Sequence, residues 1–422
     1  MNNHAPRVML LITARSYRGE AFLQAGQRLG IEVIQVIDMA HELADFWRYP
    51  LGIDFNQPET AVQTIVDFTA HTPVDAILAV DDSGTLLAAR ASARLGLPHN
   101  SPLAAEAARD KHRMRTLMAA AGVPCPVFRR FSTADDPHFV ATQISYPCVV
   151  KPLNLNGSRG VIRADDGEQF VAAVQRLTRM LDQEAANVAP KPYLVEDFIP
   201  GFEVALEGML DRGHLTVLAL FDKPDPLDGP FFEETIYVTP SRLPATVQAE
   251  IADCAARAAQ SLGLQGGSVH AELRVNERGP WMLEVAGRSI GGLCSQTLRF
   301  EMDASLEELI LRQACSLPLP TTQRENQASG VMMIPIPEAG VLQRVAGLED
   351  AKNVPGIDGI EITAKLHYPI TPLPEGESYL GFIFARGETP AVVEAALRGA
   401  HSQLQFTIAP EIGLTMVITT PP

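Results

Sequence analysis

The sequence has 422 residues, too many for one ordinary domain, and its 46% hydrophobic and 20% charged residues are typical of globular chains. A net charge of −16 excludes a non-specific nucleic-acid binder, which needs a basic footprint, but leaves small anionic ligands open because local groups hold those. The five cysteines (Cys125, Cys148, Cys254, Cys294, Cys315) form no CxxC pair, which argues against structural zinc and a disulfide framework and suits a reducing cytoplasm.

No apolar run approaches the roughly 20 residues of a membrane helix, so no membrane association is expected. The run from Val8 to Ala14, interrupted by Arg15, is too short for a signal-peptide core and is read as a first buried strand over 7–14. Gly19 to Leu29 has helical spacing, and Ile31 to Asp38 is a second strand. Residues 59–71 read as a helix. Ala76 to Val80 reads as a third strand ending at Asp81-Asp82, followed by an Ala-rich helix from Ser83 to about Leu95. Strands alternating with helices predict a parallel sheet covered on both faces, with ligands at the carboxyl ends of the strands. No GxGxxG follows the first strand. Thr13, Asp81 and Asp82 lie at those ends, where ligand contact and helix capping both account for them.

Pro98 to Pro102 is a linker, and residues 104–121 read as one helix carrying Asp110, Lys111, Arg113 and Arg115. An apolar strand then ends in Lys151-Pro152, and Asn156-Gly157-Ser158-Arg159-Gly160 follows. Gly, Asn and Ser let successive backbone N–H groups turn one way and cradle phosphate oxygens, with a lysine as point charge. The same residues also suit a ligand-free hairpin turn, and the GxxxxGK[ST] order is not met.

An amphipathic helix is expected over 168–186, and strands at 192–195, 202–209 and 215–221. Residues 222–235 are rich in Pro, Asp and Gly, as a loop over a site or a plain surface loop would be; its Glu233 and Glu234 suit either a substrate ammonium group or solvent. An Ala-rich helix spans 246–262.

Val269 to Arg274 and Trp281 to Ala286 flank turn chemistry, which predicts a β-hairpin with His270, Glu272 and Arg274 on one face and Met282, Glu284 and Ala286 on one face of its partner. If Glu272 lies opposite Glu284, two carboxylates converge and call for a cation, for which Mg²⁺ is suited; a surface hairpin with two solvated glutamates is the alternative. Arg288 and the Gly291-Gly292 pair follow at once. A helix over 303–315, strands at 330–336, 360–366 and 379–386, and a helix at about 390–400 capped by Thr389-Pro390 complete the chain.

Taken in order, Lys111, Lys151-Pro152, the 156–160 loop, Glu196-Asp197-Phe198-Ile199, Glu203, and two spaced glutamates ending in Glu-x-x-Gly-Arg resemble the ATP-grasp superfamily of carboxylate–amine ligases. Lys365 to Gly387 resembles the C-terminal domain of bacterial L-amino-acid ligases. The resemblance implies a mixed α/β and α+β fold. Its parts would be an N-terminal parallel α/β domain over 1–100, ATP-grasp central domains with antiparallel sheets over 101–317 (lid subdomain about 141–197), and a small C-terminal α+β domain over 318–422.

It also implies residue roles. Lys111 and Lys151 contact ATP phosphates, and Gly157, Ser158, Arg159 and Gly160 close over them. Glu196, Asp197, Phe198 and Ile199 hold adenine, and Glu203 holds the ribose hydroxyls. Glu272 and Glu284 ligate Mg²⁺ or Mn²⁺. Arg288 steadies the transferred phosphoryl group, His270 faces substrate, and Glu234, Gly291 and Gly292 border it. Many relatives carry Asn where this chain has Ala286, which implies a water in place of one metal ligand.

The implied activity is ATP-dependent joining of an amino-acid carboxylate to an amine, with small-molecule substrates, a homodimer and a cytoplasmic location. A ligase or carboxylase for another carboxylate, or a silent ATP-binding regulator, are the alternatives.

Overall fold

The computed structural model describes residues 5–410 apart from 15, 185–189 and 377. Arg15 and the last two residues of the expected 168–186 helix therefore lie outside the described residues.

The N-terminal strands Arg7–Thr13, Glu32–Asp38, Leu51–Ile53 and Ala76–Ala79 form a parallel sheet in the order 51–53, 32–38, 7–13, 76–79. The first strand is apolar at consecutive positions because both faces are covered. Val8, Leu10 and Ile12 pack with Phe22 and Ala25 of helix Gly19–Leu29. Met9 and Leu11 pack with Val62, Ile65 and Leu87 on the other side. The edge strand Leu51–Ile53 was not anticipated, since three residues carry no readable period.

One expected helix is two. Pro102–Ala107 and Lys111–Ala120 are separated at Asp110, which is extended and accepts from the Arg113 N–H at 2.9 Å. The side-chain acceptor caps the second helix and so restarts it. Lys111 thereby sits in a first helical turn and is only 5% exposed, not out in solvent.

Two antiparallel sheets follow. The smaller has the order 128–132, 192–197, 148–152, 162–164 and is covered by helices Pro137–Ala141 and Gly167–Glu184. The larger has eight strands in the order 279–286, 267–276, 202–211, 214–222, 236–239, 328–334, 381–387, 357–362. Helices Lys111–Ala120 and Ala245–Leu262 cover its first strands through Met114, Met118, Ala255, Ala258, Val269, Ala271 and Leu273. Odd positions of strand 267–276 thus enter the core, and even positions face the smaller sheet.

In the hairpin Gly267–Asn276 and Gly279–Ala286, Glu272 opposes Glu284. A bulge then makes Met282 the partner of Leu273 and leaves Leu283 extra. The expectation that Met282 shares a face with Glu284 and Ala286 is therefore wrong, because the bulge turns Met282 into the core, where it is fully buried.

The strands Ala328–Ile334, Gly381–Gly387 and Ile357–Ile362 extend the large sheet, so the expected strand at 360–366 lies three residues earlier. A separate three-stranded sheet (Gly340–Ala346, Pro369–Ile370, Gln405–Ala409) and helix Pro390–Gln403 complete the C-terminal unit. The Thr389 side chain caps that helix, with Pro390 in the first turn.

Candidate active site

Between the two antiparallel sheets lies a cavity of about 340 Å³. Its floor is built by cross-strand pairing. Strand 267–276 lies beside Phe202–Asp211 in a register that sets His270 against Glu207 and Arg274 against Glu203. The His270 Nδ1 is 3.2 Å from Glu207 Oε2, and the Arg274 Nε donates to Glu203 Oε2 at 2.8 Å. Lys223, at the end of strand His214–Asp222, donates to Glu203 Oε1 at 2.9 Å, contacts Glu234 and lies 3.3 Å from Glu272 Oε1. One ammonium therefore sits among three carboxylates whose oxygens lie within 4.8 Å of one another.

Electrostatics follow from that crowding. Burial alone would lower the Lys223 pKa, but Glu203, Glu234 and Glu272 outweigh it and hold the ammonium charged. Burial and the neighbouring Glu272 charge push Glu234 up to about 7, against the pull of Lys223. Glu272 goes the other way: burial opposes ionisation, but Lys223 and His270 keep it a carboxylate. Burial would lower His270, yet its hydrogen bonds to Glu207 and Glu272 raise it to about 9.

A group whose pKa rises on folding stabilises fully below its unfolded value and loses that contribution as pH climbs through the folded one. His270 should therefore support the fold below about pH 6.5 and stop doing so as pH passes about 9. Denaturation midpoints of wild type and His270→Gln, followed from about pH 6 to about pH 10, should converge toward the alkaline end. A constant difference would remove the imidazolium from the account.

The facing wall carries Lys151, whose Nζ is 2.7 Å from Glu196. Glu196 also pairs with Arg115 at 2.7 Å, and all but 2% of it is buried. Burial would raise this carboxyl, but Arg115 and Lys151 bring it below the ordinary value. Its side chain is thus committed to two cations, and Asp197, Phe198 and Ile199 line the cavity beside it. Lys111 Nζ donates to the Leu155 carbonyl at 2.9 Å and lies 3.5 Å from Glu284 Oε1. Phe198 lies under the guanidinium groups of Arg163 and Arg274, 4.1 and 4.8 Å from its ring centre.

The glycine loop divides. Asn156, Gly157 and Ser158 border the cavity, with Gly157 and Ser158 in the left-handed region. Arg159 and Gly160, expected to close over phosphates, face away. Gly160 N–H donates to the Pro374 carbonyl, and the Arg159 guanidinium reaches the Glu375 carbonyl and Glu184. The loop's second half is used to meet the C-terminal unit, where Arg176 also grips Glu375 with two bonds of 2.6 and 2.8 Å.

Arg288 pairs with Asp82 at 2.6 Å, joining the sheet end of the N-terminal unit to the hairpin exit. Burial would lower the Arg288 pKa, but Asp82 raises it further. Asp82 is thus an ion-pair partner, and Asp81, which precedes the helix, makes no side-chain cap. Gly291 and Gly292 line the cavity beside Tyr17, Tyr237, Tyr379 and the buried Cys294, and Ile290 N–H donates to Glu207 at 3.0 Å. Glu234, one of the expected loop acids, is turned inward, leaving 19% of its side chain exposed.

The cavity thus gathers Lys111, Lys151, Glu203, Glu234, His270, Glu272, Glu284 and Arg288. Lys223, Arg115, Glu207 and Asp82 complete it and escaped the sequence reading as partners. Only the charge of Lys223 directly after an apolar strand offered a signal. Glu272 and Glu284 keep 24% and 31% of their side chains exposed toward the cavity, and hard carboxylate oxygens of this kind suit Mg²⁺ or Mn²⁺. Glu203 is held by both Lys223 and Arg274, and Glu234 by Lys223, whereas Glu272 and Glu284 face each other across the hairpin and stay more open, which favours that pair as the ion's ligands.

The ATP-grasp N-terminal domain family matches residues 23–99, the ATP-grasp domain family 144–297, and L-amino acid ligase C-terminal domain 2 residues 332–409. The alanine–anticapsin ligase of Bacillus subtilis is 29% identical over 314 residues, which cover 68% of this chain and 65% of that one. A D-alanine–D-alanine ligase of Aromatoleum aromaticum is 28% identical over 186 residues, 43% of this chain and 57% of that one. The matched part thus spans about 65% of the length of these alanine–anticapsin ligases. The crystal structure of an L-amino acid ligase from Bacillus licheniformis superimposes with a TM-score of 0.82 at 23% identity, covering 97% of this chain and 100% of that one. Among the described residues no helix is long and apolar enough to cross a membrane. Three matches in the order of the chain give this protein an ATP-grasp N-terminal domain, an ATP-grasp domain and the C-terminal domain type of the L-amino acid ligases, in a fold shared along its length with the Bacillus licheniformis structure.

Proposed function

We propose that the protein is an ATP-dependent ligase that joins the carboxylate of one amino acid to the amine of another, releasing ADP and phosphate. The observation that carries this reading is the convergence of Lys111, Lys151 and Arg288 with Glu272 and Glu284 in one cavity. A carboxylate is a poor electrophile, and phosphorylation supplies it with a leaving group. One carboxylate oxygen attacks the γ-phosphorus of ATP and ADP departs. The amine then attacks the acyl carbon, phosphate departs, and the amine loses a proton. Both transfers are chiefly positioning and charge neutralisation.

Lys111 and Lys151 are placed to meet phosphate oxygens, with Glu196 and Arg115 fixing the Lys151 stem. The 196–199 backbone and Phe198 offer an adenine slot, and Glu203, held by Lys223 and Arg274, a ribose acceptor. Gly157 and Ser158 border the phosphate end. Glu272 and Glu284 would hold Mg²⁺ or Mn²⁺, which neutralises phosphate charge when bound. Arg288, held by Asp82 and the Ser289 carbonyl, borders the cavity along with Gly291-Gly292 and would stabilise developing oxyanion charge there. His270 and Glu207 orient that loop through Ile290 N–H, and Glu234 offers an acceptor for a substrate ammonium group. The acylphosphate is hydrolysed if wet, which gives the enclosure by the 223–235 loop a purpose.

The same reading places the protein in the cytoplasm, as a homodimer acting on small molecules; the five free cysteines support a reducing compartment.

The test is phosphate release with ATP, Mg²⁺ and every pair of the twenty amino acids, beside Glu284→Ala. Release that depends on particular pairs and vanishes in the variant is expected. Silence across the panel with ATP still bound would transfer the reading to another carboxylate or to a regulator, the outcome that Ala286 at the metal end favours.

A further inference from the structure

The lid subdomain has a core of its own, in which Val150, Ile162, Phe170, Val174 and Leu177 close between its sheet and its helices. Among the described residues, no side chain of the C-terminal unit joins that core. The C-terminal unit nevertheless meets the lid, and it does so through polar bonds. Arg176, on helix Gly167–Glu184, grips both carboxylate oxygens of Glu375. Arg159 Nε donates to the Glu375 carbonyl at 2.9 Å, and Gly160 N–H to the Pro374 carbonyl at 2.9 Å. These bonds run from the lid to two consecutive residues of a compact turn. In that turn Gly376 N–H returns to the Pro372 carbonyl at 2.8 Å, and a Cβ on Gly376 would collide with the Thr371 carbonyl oxygen. Arg176 also lies over the ring of Phe231 at 4.9 Å, and Arg163 N–H, on lid strand Ile162–Ala164, donates to the Pro230 carbonyl at 2.9 Å. The 223–235 loop is thereby drawn to the same point.

An apolar core locks two surfaces together. The Arg176–Glu375 pair is different: its side chains keep 37% and 36% of their surface exposed, so water can replace the bond at small net cost while the two-bond geometry still fixes one orientation. A contact of this kind suits surfaces that meet and part in every cycle. The glycine loop has that need, because a loop that covers phosphates must also let ADP leave. Gly157 and Ser158 border the cavity immediately before Arg159 and Gly160, so the turn at 372–376 holds the loop from behind.

We propose that Glu375 is a positioning residue that latches the lid onto the C-terminal unit and so holds Gly157 and Ser158 over the ATP phosphates. The inference rests on the reading of the first cavity as the nucleotide site, and not on which substrates are joined.

Stopped-flow release of a fluorescent, non-hydrolysable ATP analogue with Mg²⁺ from the full chain, chased with unlabelled ATP, tests it. Glu375→Gln and Arg176→Met should each speed release about fivefold, the upper range for a partly exposed pair with two bonds. The double variant should add nothing further, since either change alone removes the pair. The exchange Glu375→Arg/Arg176→Glu should restore part of the slow release. Glu349→Gln, which breaks an exposed pair with Lys352 in the same unit, should leave the rate unchanged. Thermal midpoints of the nucleotide-free variants should match wild type. Unchanged release in Glu375→Gln, while Lys151→Ala weakens binding, would overturn the latch and keep the nucleotide site. Binding that ignores Lys151→Ala, or no binding to wild type, would overturn the site reading and the latch with it. Midpoints that fall in step with faster release would make the pair a structural joint and also overturn the proposal.

Discussion

Arg288→Met is expected to lower phosphate release by about 10²–10³-fold at saturating ATP, the usual effect of removing a donor aimed at developing negative charge. Nucleotide affinity should change far less, because the lysines and the 196–199 segment stay in place. The substitution also strands Asp82, which is 8% exposed and has Arg288 as its ion-pair partner at 2.6 Å. A stability loss of about 3–5 kcal/mol would follow from that alone. The double variant Asp82→Asn/Arg288→Met separates the two effects, since it removes the stranded charge without restoring the guanidinium. Activity that returns with stability in the double variant would make Arg288 a structural residue only. Stability that returns while turnover stays low would place it at the reacting atoms.

The second large effect is on the fold. Lys223→Met leaves Glu203, Glu234 and Glu272 within 4.8 Å of one another, with Arg274 compensating Glu203, His270 compensating Glu272 and nothing comparable at Glu234. Removing one member of a buried charge set costs about 3–5 kcal/mol, because the remaining charges are left desolvated and facing each other. The loss should shrink at acid pH, where the carboxylates of the variant accept protons and the repulsion disappears. Thermal midpoints at pH values near 5 and near 8 read both statements. Adding Glu234→Gln to Lys223→Met should recover part of the loss at the higher pH. A Lys223→Met protein with an unchanged midpoint at both pH values would show that the acids relax into solvent.

How much of this was legible in the sequence depended on the distance over which each feature is determined. The buried run Val8–Ile12, the hairpin at 267–286 and the even-position chemistry of His270 and Glu272 are local, and a period of two exposes them. The Leu283 bulge is not local to any composition signal, and it turned Met282 into the core. The break at Asp110 was readable in principle as a capping residue inside an apparent helix, and it is what buries Lys111. The ion pairs Arg115–Glu196, His270–Glu207 and Arg288–Asp82 join residues 81, 63 and 206 positions apart, and no spacing rule reaches that far. Arg159 and Gly160 carry the composition of a phosphate loop, but their bonds are made to Pro374 and Glu375, more than two hundred residues later.

The eight-stranded sheet has a further consequence. Strand Ile236–Thr239 belongs to the ATP-grasp region, and its outer neighbour, Ala328–Ile334, belongs to the C-terminal unit. A chain ending near residue 317 would leave Ile236–Thr239 with bare N–H and C=O groups and an uncovered apolar surface at Val238, the kind of edge that recruits other chains. It would also open one side of the cavity, where Met333 and Tyr379 stand. The last hundred residues are therefore part of the same folding unit as the sheet that floors the cavity. Insolubility of a shortened chain would report an unpaired strand, not a lost regulatory domain.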